Sequence, residues 1–264
     1  MHLLSKGLRS DLAQLDGEIL DRGDYLCVRS PKEPEFYWGN LLVFPRAPVA
    51  GDYERWQELF AKEFAGQPAV KHQTFTWDCS DQEGEIAPFV QAGYRYEKSV
   101  VLCASTLNAP HHPNGEIAIR SLVGDSDWRD LLQCQLLCRE DFPEVGYVDF
   151  VRKRLAAYRA RVETGEGQWY GAFIGVQMVA SLGLFLSDDF GRFQSVMTIP
   201  EARKRGICAT LVHHVSEAAL AKPKTTNLLL VADEDYHAGR IYESLGYCKA
   251  EEMRGLCRWP ELGE

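Results

Sequence analysis

With 264 residues, the chain is long enough for one large domain or two of ordinary size. Its 45% hydrophobic and 11% aromatic content is that of a folded protein and excludes a disordered class. The formal net charge of −9 argues against non-specific nucleic-acid binding, which needs a positive field. No apolar run approaches the roughly 18 residues of a membrane span, and residues 1–17 lack a signal-peptide core, so a soluble, cytoplasmic protein is expected. The eight cysteines include no CxxC pair, and Cys134 and Cys138 have no nearby histidine; buried thiols are expected, and no metal site.

Taken in order, Asp24 to Ser30 and Phe36 to Phe44 read as strands on either side of a turn. Tyr53, Trp56, Leu59, Phe60 and Phe64 form a helical stripe. A strand at 72–77, a short helix near 86–92 and a strand at 94–104 follow. Residues 107–115, rich in proline and histidine, read as a linker between a first domain at 1–106 and a second at 116–264. The second half begins with a strand at 116–122. A helix from Trp128 to Cys138, an acidic loop at 140–146, a helix at 147–162 and strands at 168–174 and 177–186 come next.

The most informative stretch is QSVMTIPEARKRGICATL, Gln194 to Leu211. Phe193, Ser195, Met197 and Ile199 alternate with Gln194, Val196 and Thr198 as in a strand, and Pro200 closes the run. A basic turn follows, and Ile207, Leu211, Val215, Ala218 and Ala219 then recur at helical spacing. A strand, a glycine-bearing turn and a helix present free backbone N–H groups at the positive end of a helix dipole, which suits a phosphate. Arg203, Lys204 and Arg205 add charge, and Gly206 allows close approach. Neither GxGxxG nor GxxxxGK[ST] occurs, so a dinucleotide fold and a P-loop are unsupported.

The pattern R-x-x-G-x-C after V-x-T-x-P resembles the acyl-CoA arm of the GNAT (GCN5-related) N-acetyltransferase superfamily, with Cys208 where that family has a small residue. Ala238, Ile241, Tyr242, Glu243, Leu245, Gly246 and Tyr247 resemble its closing signature, with Asp235 at the usual asparagine position. The resemblance implies that acetyl-CoA is the co-substrate. Its pantetheine arm would lie along Val196, Met197 and Thr198, and its pyrophosphate would rest on Arg203, Lys204, Arg205, Gly206, Ile207, Cys208 and Ala209, with Asp235 and His237 beside the groove. Tyr242 matches the family's general acid, though a tyrosine there could equally fill the core. Where the family often carries a basic glutamate this chain has Leu230; Glu140, Asp141 and Glu144 could serve as base, attract a cationic substrate or simply be solvated, and His237 is another possible base.

A repeat runs through the chain. Phe44-Pro45 aligns with Ile199-Pro200 at an offset of 155, and Phe89 to Lys98 aligns with Tyr242 to Glu251 at 153. The first copy has Pro48 in place of Arg203 and Phe89 in place of Tyr242, which removes an N–H, a charge and a hydroxyl. The expectation is therefore an α/β protein of two tandem GNAT-like domains, each a mixed, mostly antiparallel sheet flanked by helices, with a non-catalytic first half. The second half would acetylate a small amine or amino-acid-like molecule, as a monomer or weak homodimer. Two alternatives stand beside this: a non-catalytic acyl-CoA sensor, and a tandem acyltransferase like mycothiol synthase.

Overall fold

The structure is a computed structural model that describes residues 1–78, 82–139, 144–187, 190–223, 225–233 and 239–259. In chain order the elements are α1 (Lys6–Leu12), β1 (Glu18–Asp21), β2 (Leu26–Arg29), β3 (Leu41–Phe44), α2 (Asp52–Phe64), β4 (Gln73–Trp77), α3 (Ala87–Gln91) and β5 (Arg95–Ala104). They continue with β6 (Ala118–Ser121), α4 (Asp125–Leu137), α5 (Glu144–Glu163), β7 (Gly167–Ile174), β8 (Gln177–Leu186) and β9 (Phe190–Thr198). The last are α6 (Ile207–Leu220), β10 (Asn227–Asp233), α7 (Gly239–Ser244) and β11 (Cys248–Arg258). None of the described helices is long and apolar enough to cross a membrane.

Two compact units result: Met1–Val101 with Ala232–Asp235 and Lys249–Glu264, and Leu102–Val231 with Tyr236–Cys248. In the first, the strands run in the order β1-β2-β3-β4-β11-β5. There β3 and β4 are parallel, while β1/β2, β2/β3 and β4/β11 are antiparallel. Helix α2 turns Trp56, Phe60 and Phe64 onto this sheet, as its stripe requires, and Trp56 stacks on Phe44 at 3.8 Å between ring centres. Phe75, Trp77, Phe89 and Tyr94 complete an aromatic core, in which each buried ring is worth about 2 kcal/mol.

Three features of this unit differ from the sequence reading. Residues 6–12 form a helix capped by the Ser5 hydroxyl, and 18–21 form an edge strand. Tyr37–Gly39, expected as strand, form a turn of 3-10 helix, because Asn40 ties the chain back: its Oδ1 accepts Ser30 N and its Nδ2 donates to the carbonyls of Glu33 and Phe36. The third concerns β11. The sequence places these residues in a second domain at 116–264, yet β11 pairs with β4 of the first unit, from Gly255↔Thr76 to Arg258↔Gln73. Leu256 is thereby buried in the aromatic core, and the Thr76 hydroxyl donates to Arg254 O at 2.7 Å.

In the second unit the order is β10-β9-β8-β7-β6, with β9/β10 parallel and the other neighbours antiparallel. Trp169 and Phe185 are fully buried, with Tyr158 4.9 Å from the Trp169 ring. Helix α6 buries Ile207, Leu211, Val212, Val215, Ser216 and Ala219; Ala218, expected inside, is exposed. The repeat is borne out in secondary structure, since β3-α2-β4-α3-β5 and β9-α6-β10-α7-β11 follow one pattern. Its sharpest correspondence is a pair of left-handed glycines, Gly51 (φ 86°) before α2 and Gly206 (φ 74°) before α6.

Candidate active site

The central strand β9 is not regular. Its partners on β8 jump from Met197↔Ser181 to Gln194↔Gly183, so Leu182 alone faces both Ser195 and Val196. This is a β-bulge, and Ser195 within it has a positive φ of 46°, uncommon for a residue other than glycine. The strict alternation expected from Phe193 to Ile199 is broken there: Ser195 is exposed, while Phe193 and Ile199 are buried. On the other edge, β9 pairs with β10 only from Phe190↔Asn227 to Arg192↔Leu229. Beyond this point no further pair forms among the described residues, although both strands continue. Two parallel strands that part at a bulge leave a groove edged by unspent backbone donors and acceptors.

Where β9 ends, the basic turn opens α6. Lys204 (φ 61°) and Gly206 (φ 74°) are both left-handed, an alternation that bends successive N–H groups towards a common point. Among the described residues, the amides of Lys204 to Ala209 take no backbone acceptor. The Thr198 hydroxyl, at the end of β9, is buried and has no hydrogen-bond partner among the described residues. The three cations behave differently. Arg203 folds back, its Nε donating to Thr198 O at 3.1 Å; Arg205 is paired with Glu116; Lys204 is exposed. Desolvation pushes the half-buried Cys208 thiol up to about 12, which favours its protonated form.

Tyr242 is buried on α7, its ring edge-to-face with Tyr247 at 6.3 Å. Gly246 closes that helix with φ 97°, as its position in the sequence requires. Tyr247 is the other phenol nearby, and its hydroxyl meets Ser216 Oγ. Ser216 donates to Val212 O, so Tyr247 is the donor in the 2.8 Å contact with Ser216 Oγ. Glu140, Asp141, Asp235 and His237 lie outside the described residues, as does the side chain of Glu144, the first residue of α5. Leu230 is buried on β10 and offers no proton acceptor.

The corresponding place in the first unit is built otherwise. Strands β3 and β4 pair to their ends, Phe44↔Trp77, and Asp78 N extends the ladder onto Phe44 O. Behind Gly51, the helix starts with Asp52, a buried carboxylate that accepts from Val49 N at 2.9 Å and from Arg46 at 2.6 Å. Burial alone would raise its pKa, but the Arg46 and Val49 hydrogen bonds outweigh this and hold it below the usual range. A cavity of about 330 Å³ is lined by Asp24, Phe44, Arg46, Arg55 and Trp56, yet both arginines already engage Asp52. The sequence reading found the losses at Pro48 and Phe89, but not this internal anion.

A strand that bulges and parts from its parallel neighbour, followed by an amide nest at a helix start, forms the centre of this α/β unit. Residues 169–255 match the model of the FR47-like protein family. No sequence among the curated proteins matches the chain. Among solved structures, it is similar to a conserved protein of unknown function from Staphylococcus epidermidis, with TM-score 0.77 and 15% identity over 92% of this chain and 94% of that one. A GCN5-related N-acetyltransferase from Kribbella flavida gives 0.60 and 15%, with 96% of each chain covered. A tandem GNAT protein from the clavulanic acid biosynthesis pathway gives 0.52 and 11%, over 84% of this chain and 80% of that one. The chain has the fold of the GCN5-related N-acetyltransferases.

Proposed function

We propose that the second half transfers an acetyl group from acetyl-CoA directly to the amine of a small, amino-acid-like molecule, and that the first half binds no coenzyme. The observation that carries this reading is the groove where β9 leaves β10 at Arg192 and Leu229, ending in the nest at Lys204 and Gly206. The donor set fits the coenzyme. Strand groups from Phe193 to Met197 suit the amides of a pantetheine arm, and the unspent N–H groups of Arg205, Gly206 and Ile207 suit a diphosphate. Acetyl-CoA supplies the activated acyl group as a thioester. The chain contributes orientation along β9, a hydrogen-bond donor at the Thr198 hydroxyl, and a phenolic proton on Tyr242 for the departing sulfur.

A second reading, binding without turnover, draws on Leu230, which leaves β10 without a base at that position. Calorimetric titration with CoA, followed by thiol-release assays over a panel of amines and amino acids, separates the two. Binding with release supports transfer, and binding with no release from any amine supports the sensor. Absence of binding refutes both.

A further inference from the structure

The turn between β9 and α6 is held from behind by the segment before β6, and Asn114 is its anchor. The Asn114 Nδ2 donates to Arg205 O at 2.9 Å, and its main-chain N donates to Thr210 Oγ1 at 2.8 Å. The Thr210 hydroxyl passes its own proton on to Gly206 O at 2.9 Å. The Asn114 Oδ1 accepts from the amides of Glu116 and Ile117 at 2.9 and 3.2 Å, which fixes the side chain in a tight turn. Glu116 then pairs with the Arg205 guanidinium. The backbone of this strap lies so close that a Cβ on Gly206 would fall 2.1 Å from His112 O.

A trans peptide is planar, and its C=O and N–H point in opposite directions. Arg205 C=O shares a peptide with Gly206 N–H, and Gly206 C=O shares one with Ile207 N–H. Holding both carbonyls with Asn114 and Thr210 therefore turns both amides to the opposite side, where the left-handed Lys204 and Gly206 make them converge. We propose that Asn114, acting with Thr210, is a positioning residue that pre-organises this nest for the diphosphate of coenzyme A. Neither residue touches the ligand in this scheme, which rests on the acyl-CoA reading above. A loop already ordered loses less freedom when the anion arrives, so the strap raises affinity for the phosphate end alone.

The test uses the full chain and three substitutions. Asn114→Ser keeps an acceptor for the local turn but is too short to reach Arg205 O. Thr210→Val deletes the hydroxyl at similar volume, and Thr210→Ser restores it. Calorimetry with CoA is expected to show about 3- to 10-fold weaker binding for Asn114→Ser and Thr210→Val, the range for one lost hydrogen bond, and parent-like binding for Thr210→Ser. Pantetheine, which lacks the diphosphate, is expected to bind parent and variants alike by ligand-observed NMR at millimolar concentration. Parent-like CoA affinity in Asn114→Ser and Thr210→Val would overturn the proposal, as would an equal loss in Thr210→Ser. So would a loss for pantetheine as large as that for CoA, because the strap would then support the fold at large. A parent that fails to bind CoA would refute the acyl-CoA reading itself, and this one with it.

Discussion

The repeat supplies its own control for the cost of closing a chain over a helix start. Gly51 and Gly206 are both left-handed and both precede a helix, yet an added Cβ meets nothing within 4 Å at Gly51 and a carbonyl oxygen at 2.1 Å at Gly206. Alanine at either position meets the left-handed penalty of about 1–2 kcal/mol, partly offset by a stiffer unfolded chain, so Gly51→Ala should cost about 1 kcal/mol. At Gly206 the strap must also retreat by about 1 Å, beyond reach of the two bonds from Asn114 to Arg205 O and Thr210 Oγ1. At about 1 kcal/mol each, these bring Gly206→Ala to about 3 kcal/mol. Peptide-resolved hydrogen exchange reads the two helices separately and is the assay of choice. The expected result is a loss of protection at α6 larger by about 2 kcal/mol than the loss at α2, together with weakened CoA binding only in Gly206→Ala. Equal losses in the two helices would refute the reasoning, because the strap would then impose nothing on the turn.

Tyr242→Phe keeps the ring against Tyr247 and removes the phenolic proton; thiol release at saturating substrates should fall about 10²- to 10⁴-fold, and parent-like turnover across the pH range would assign the proton to another group. Calorimetry should return one coenzyme per chain, since Asp52 occupies the helix start in the first half and β3 stays paired with β4; a stoichiometry of two would sink that expectation. Asp127, bonded to Arg120 and to Val123 N, is held at about 2, chiefly by the Arg120 guanidinium. A folded pKa below the unfolded value of about 3.9 stabilises above pH 4, and that contribution is lost as pH falls through 2. Asp127→Asn should therefore cost about 1–2 kcal/mol in urea unfolding at pH 7 and much less near pH 2. A cost independent of pH would show that the charge is not the agent.

How much of this was legible in the sequence follows from which interactions are local. The alternation before Pro200, the basic turn and the α6 stripe are local signals, and the elements formed within a few residues of their expected ends. Gly206 was legible as a position free of Cβ, but the reason assigned to it was the ligand, whereas the structure puts His112 O against it. Asn114 reads as linker, because nothing near it in sequence reveals a partner 91 residues away. The bulge at Ser195 was equally silent, since serine carries no left-handed preference and the kink is set by pairing with β8. Asp52 looked like an ordinary acidic residue in a first helical turn; only burial with Arg46 and Val49 N shows it serving as an internal anion.

The pairing of β11 with β4 has a consequence for how the chain is made. Residues 73–77 leave the ribosome long before residues 255–258, and until then one side of β4 has no neighbour to bond. Thr74, Thr76 and the aromatic core beneath them must wait in a half-finished state while the whole of the second unit is synthesised. Folding of the first unit is thus timed by completion of the second, and a message cut short before Cys248 would yield a protein with an open sheet edge, suited to aggregation and to removal by proteases. A first unit that cannot mature ahead of the second will not persist without it.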